Sequence, residues 1–159
     1  DWSSDVCSSD LDGSLSTTGI VTLAPSSFRG VDLGSKTSGM LGLTDAELDR
    51  VTANVLRINT GSNIAISAPV SPAGTSTLAL SGSGGIAQSS GATIAVPNLK
   101  LVAGSPVNLI EANSVSTLAA SAGSIVFRSA LPLTIGTVDG MSGIGSSTDR
   151  KSTRLNSSH

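Results

Sequence analysis

Asp45, Glu47 and Asp49 alternate along one short stretch, a spacing at which carboxylates can converge on a calcium ion. The glycine and the distal bidentate glutamate of a calcium loop are missing there. Thr44-Asp45-Ala46-Glu47 instead fits a capping box, in which Thr44 and Glu47 satisfy the first amides of a helical turn. Leu48, Val51 and Val55 follow at helical spacing, so one turn over about Asp45–Arg50 is expected. Cleavage of acidic polysaccharide would need Asp, Glu, Arg or His clustered at matched offsets. Glu111 has no acidic partner one repeat away, where Ser90 and Pro132 stand. Arg57 and Lys100 share an offset but lie two repeats apart, with Ala79 between them. Asn98, Asn108 and Asn113 read as residues that stack or cap turns. No catalytic, cofactor-binding or metal-ligating residue is assigned, and no cofactor is expected.

The elements that would position any such group are short and repetitive. Apolar pairs recur from Leu56 to Ile135 on a spacing of about twenty residues. One ladder is Leu56/Ile58, Leu78/Leu80, Leu99/Leu101, Leu118/Ala120 and Val138. A second is Ile64/Ile66, Ile86, Val107/Leu109, Ile125/Phe127 and Ile144. A third is Ile94/Val96, Val115 and Leu133/Ile135. Within each piece the apolar residues sit at i and i+2, which puts them on one side of a strand. The intervening positions hold small or polar residues such as Arg57, Ala65, Ala79, Lys100, Asn108 and Thr134.

Between the pieces lie turn residues, as in Gly82-Ser83-Gly84-Gly85 and Ser121-Ala122-Gly123-Ser124. These gaps are too short for crossover helices. Hairpins fit such gaps by length, but three ladders sharing one period favour coiling. The fold expected is all-β: a parallel β-helix, or solenoid, with three short strands per coil of about 18–22 residues. Composition agrees, since aliphatic side chains can stack from coil to coil and aromatics make up only 2% of the chain. A disordered Gly/Ser tract is the competing reading, and the β-branched alternation is too regular for it.

The flanks read differently. Asp1–Leu11 (DWSSDVCSSDL) and Asp149–His159 (DRKSTRLNSSH) resemble translations of the two strands of one sequencing-adapter oligonucleotide. Residues 1–11 and 149–159 are therefore expected to be adapter-derived and disordered, and 12–148 to be a fragment of one solenoid. The sole Trp2, Cys7 and His159 all fall in the flanks, as do Arg150, Lys151 and Arg154. That removes the basic C-terminal cluster as a nucleic-acid signal. Without cysteine, 12–148 offers no disulfide and no thiolate site. Six basic and seven acidic residues remain in it, so no polyanion partner is implied. No run is long and apolar enough to span a bilayer.

In chain order, Ile20–Leu23 and Val31–Leu33 are strand candidates for an earlier coil, and Gly34–Gly42 is expected to be a loop. The prolines at 69, 72, 97, 106 and 132 are placed at strand edges or turns. Thr75, Thr77, Thr93, Thr117, Thr134 and Thr137 form no single rank, which argues against an ice-binding face.

LGLTDAELDRVTANVLRI at Leu41–Ile58, the aliphatic repeats and the closing LTIGTVDGMSGI at Leu133–Ile144 resemble the repeat region of filamentous haemagglutinin-type exoproteins. That resemblance implies a right-handed parallel β-helix, and a structural and adhesive passenger segment of a large secreted bacterial protein on the Gram-negative cell surface. It implies export by two-partner secretion through an outer-membrane transporter. It also implies host-cell or surface glycans or proteins as ligands of the parent protein. It carries no active-site residues. A polysaccharide-binding or -cleaving β-helix is the alternative. A piece cut from a solenoid lacks capping coils, so unpaired edges and self-association are expected of it.

Overall fold

The computed structural model describes residues 13–146, together with the backbones of 2–6 and 153–157. It is nearly all β, 59% strand and 3% helix, with a parallel sheet wound into a β-solenoid of about four turns. The stack opens with β1 (Trp2–Val6), β2 (Leu15–Ser16), β3 (Ile20–Pro25) and β4 (Val31–Leu33). An insertion follows, β5 (Leu41–Leu43) and α1 (Asp45–Leu48). The regular coils are β6 (Val51–Thr60) with β7 (Ile64–Ile66), then β8 (Thr75–Gly82) with β9 (Ile86–Gln88). Next come β10 (Ala95–Ala103), β11 (Val107–Ala122) and β12 (Ile125–Ser129). The last elements are β13 (Thr134–Ile135), β14 (Thr137–Val138), β15 (Met141–Ser142), β16 (Ile144–Ser146) and β17 (Thr153–Ser157).

Register follows the period-two pattern. On the first face, Val21, Leu56, Leu78, Leu99, Leu118 and Ile135 stand in one parallel column. Leu23, Ile58, Leu80, Leu101, Ala120 and Ile144 form the next. On the second face the column is Leu41, Val31, Ile64, Ile86, Val107 and Ile125. The third face is shorter, held by Leu15 against Val51, Ala53 against Thr75, Val70 against Ile94 and Val96 against Val115. Leu56, Leu78, Leu99 and Leu118 are each 0% exposed. Each such side chain removed from water contributes roughly 1.5–3 kcal/mol before chain entropy is subtracted.

One polar cluster interrupts this interior. Gln88 succeeds Ile66 in a column and meets Asn113, which is wholly buried. The two amides face each other, Gln88 Nε2 donating to Asn113 Oδ1 at 2.6 Å and Asn113 Nδ2 to Gln88 Oε1 at 3.3 Å. Asn113 also accepts from the Ile94 amide at 2.8 Å and donates to the carbonyls of Glu111 and Arg128 at 3.0 and 3.1 Å. It satisfies the backbone where β11 bends from the second face to the third, which is the cost any buried corner must meet.

Four features depart from the sequence expectation. The first coil takes 33–35 residues per step, as in Val31 against Ile64 and Val21 against Leu56, because of the insertion. Within it, Gly34–Gly42 is not all loop: β5 begins at Leu41 and turns back to pair with the outer edge of β4. The intervening loop covers Asp32, whose carboxylate accepts from Ser35, Thr37 and Ser67 hydroxyls. Val138 does not continue the first ladder. Ile135 and Ile144 take those places, and the residues between them leave the stack as an antiparallel hairpin. The flanks expected to be disordered contain β1 and β17, which pair in parallel with β3 and β12. An open solenoid edge templates any adjacent chain that can extend. Positions 1, 7–12, 147–152 and 158–159 lie outside the described residues.

Candidate functional site

Arg57, Ala79, Lys100 and Ala119 form one outward column on the first face, in consecutive coils. The hairpin β14–β15 folds over this face, and its Val138-Asp139-Gly140-Met141 turn explains how. Asp139 (φ 47°) and Gly140 (φ 77°) are both left-handed, the requirement of the two-residue turn whose twist matches a β-hairpin. Small side chains make the landing ground. Ala79 and Ala119 are 5% and 0% exposed although both point outward.

The turn delivers a carboxylate onto the two cations. Arg57 Nε donates to Asp139 Oδ2 at 2.9 Å and its terminal nitrogen to Oδ1 at 2.7 Å. Lys100 Nζ reaches the Asp139 carbonyl at 3.0 Å and Oδ2 at 3.3 Å. The Asp139 side chain is 6% exposed, against 37% for Arg57 and 21% for Lys100. Hydrogen bonds from Arg57 hold the Asp139 carboxyl below the usual carboxylate range, opposed by burial and helped by the charge of Lys100. The same hydrogen bonds raise Arg57, against a smaller effect of burial. At neutral pH the arrangement is a clasped anion rather than a proton donor. It borders a depression of about 310 Å³ that also touches Asn59, Ser81 and Val102.

Arg57 and Lys100 are thus brought together, across Ala79, by a residue that sequence reasoning missed. The signal was present: Asp-Gly between apolar residues is a strong short-range hairpin mark. Reading Val138 as a rung of the ladder concealed it.

The other candidates serve the backbone. Glu47 Oε2 accepts from the Thr44 amide at 2.8 Å, Thr44 Oγ1 accepts from the Glu47 amide at 3.3 Å, and Glu47 Oε1 pairs with Lys36 at 2.8 Å. The capping box is therefore formed, over a helix of Asp45–Leu48. Asp45 accepts from the Ser71 amide at 2.6 Å and Asp49 from the Ala73 amide at 2.8 Å. The three carboxylates serve separate partners and do not converge. The Glu111 amide donates to Gln88 where β11 bends. Asn98 caps the Ser76 carbonyl at 3.1 Å, and exposed Asn108 stacks on Ala87 and Val126 positions rather than on another amide. Thr77, Thr117 and Thr134 do share a column, but Asn98 interrupts it and Thr77 is buried.

Comparison of the chain with protein-family models, curated proteins and solved structures returns no match. Among the described residues no helix is long and apolar enough to cross a membrane.

Proposed function

We propose that this chain is a structural and adhesive passenger segment of a large secreted bacterial exoprotein, similar to the filamentous haemagglutinin type, with no catalytic role. The observation that carries this reading is the unbroken aliphatic column from Val21 to Ile135, repeated rung over rung on parallel hydrogen bonds. Each added coil extends such a rod by about 4.8 Å without new chemistry. In this reading the parent protein leaves the cell by two-partner secretion through an outer-membrane transporter. It stands on the exterior of a Gram-negative cell and meets host-cell or surface glycans and proteins. The test is to extend the coding sequence outward in its source DNA. Further coils of about twenty residues and an upstream export domain are expected. A reading frame that closes within a coil or two on either side would defeat the proposal.

A second reading, a polysaccharide-binding or -cleaving β-helix, is favoured by one observation. The Arg57–Asp139–Lys100 cluster lies on an outward face beside an open depression. Release of reducing ends or of unsaturated product from an acidic polysaccharide would select cleavage over the structural role.

A further inference from the structure

Asp139 is followed by Gly140, a pair whose own atoms can react with each other. A backbone amide attacks the preceding aspartate side chain most readily when it belongs to glycine, which has no Cβ to block the approach. The chain has two such bonds, Asp12-Gly13 and Asp139-Gly140, and the second lies within the described hairpin. Gly140 is exposed, and an added Cβ there would meet nothing within 4 Å. Its amide makes no hydrogen bond among the described residues. The nucleophile is therefore free.

The electrophile is held. The Asp139 side chain is 6% exposed, and Arg57 and Lys100 donate to both of its oxygens. Arg57 from β6 and Lys100 from β10 are the charged groups that face it among the described residues. Beneath it β8 and β11 present Ala79 and Ala119, which do not titrate. A carboxyl loses oxygen as water in its protonated form, and the clasp keeps this one ionised.

We propose that Asp139-Gly140 is a modification site, an aspartate that isomerises to isoaspartate when the clasp opens. Gly140 N bonds to Asp139 Cγ, the Cγ–OH bond breaks, and the hydroxyl leaves as water with the amide proton. The product is a cyclic succinimide. Water then adds to one of its two carbonyls. Addition at Cγ restores aspartate. Addition at the main-chain carbonyl carbon breaks that carbon's bond to nitrogen and routes the backbone through Cγ, giving isoaspartate. One water leaves and one returns, and no oxidant or reductant takes part.

Refolding does not reverse the change. An extra methylene enters a two-residue turn whose fit depends on left-handed φ at both positions. The carboxylate is left on the α-carbon, one atom nearer the backbone and out of bidentate reach of Arg57. The hairpin then leaves the first face and uncovers Arg57 and Lys100. Acid is the trigger, because one protonation both releases the clasp and activates the carboxyl.

The experiment incubates the full chain at about pH 5, above the ordinary carboxyl value near 4, folded and in parallel unfolded in urea. Isoaspartate is measured by enzymatic methylation of the tryptic fragment 129–150, which excludes Asp12-Gly13. The folded wild type is expected to isomerise about tenfold more slowly than the unfolded chain. Arg57→Gln should recover most of that factor and Lys100→Gln a several-fold part of it. Circular dichroism checks that the coils of both variants are intact. As pH falls below about 4, the folded wild-type rate should approach the unfolded one. In isomerised chain separated by ion exchange, amide protection should be lost at 137–142 and kept at Leu78 and Leu99. Three results overturn the proposal: equal rates in folded and unfolded wild type at about pH 5, a folded Arg57→Gln variant no faster than wild type, or full hairpin protection after isomerisation. The stalk reading stands apart from all three, because it rests on the column and not on the hairpin.

Discussion

Asp139→Asn removes one charge and leaves the turn geometry in place. Asparagine is among the side chains that tolerate the left-handed region, so a φ of 47° imposes no new strain. What disappears is the charge on an acceptor of four hydrogen bonds from Arg57 and Lys100, three of them to the carboxylate. A buried bidentate pair would be worth up to about 3 kcal/mol, but Arg57 is 37% exposed, and solvent screening reduces this to about 1–2 kcal/mol. The clasp joins the hairpin to the stack, and it links the coils of Arg57 and Lys100 only through Asp139, while those coils keep their own parallel pairing. The loss therefore appears as local opening of 137–142, while the columns beneath are kept by their own burial. Amide hydrogen exchange at pH 7 reads it directly: protection of the hairpin amides should fall about tenfold, and that of Leu78 and Leu99 should not change. The pH dependence carries the same signature. The carboxyl of Asp139 is lowered in the folded chain, so its contribution is complete above the unfolded value near 4. It is lost as pH falls below that value and through the lower folded one. The wild-type hairpin should loosen in that acid window and the variant should lack the transition. The raised Arg57 is the same pair seen from its other partner: Arg57 stays charged throughout this window, so it adds no second acid transition. Equal hairpin protection in both proteins at neutral pH would refute the clasp.

Other consequences follow from the core and the caps. Leu99→Ala opens a gap between Leu78 and Leu118, whose positions are held by parallel backbone pairing and cannot collapse inward; a loss of about 3–5 kcal/mol in a urea melt is expected, and less than about 1 kcal/mol would mean that the column is not the core. Asn113→Leu keeps approximate volume but strands the Ile94 amide and the Glu111 and Arg128 carbonyls, so a loss of about 2–4 kcal/mol should appear in the same melt; an unchanged midpoint would show that water serves the corner equally well. Thr44→Ala removes the cap of α1 and should cost about 1 kcal/mol, with faster exchange confined to the amides of 45–48; exchange rates left as they were would deny the capping box its role.

The aliphatic ladders and the coil period were readable in the chain itself. Strand alternation and turn composition are local properties: Leu78-Ala79-Leu80 and Leu99-Lys100-Leu101 declare an inside and an outside without reference to any other residue. The capping box at Thr44–Glu47 was legible for the same reason. Tertiary structure alone decided where the period is broken and what the breaks achieve. The choice between Val138 and Ile135 as partner of Leu118 turns on a two-residue turn competing with one more rung, and the hairpin wins because its carboxylate finds two cations 82 and 39 residues back. The backward turn of β5 onto β4, the meeting of Gln88 with Asn113 and the seat of Phe28 on Gly61 likewise depend on which coil lies next to which. Periodicity states that coils stack. It does not state what an outward side chain meets, since that neighbour is set by the path of the chain between coils.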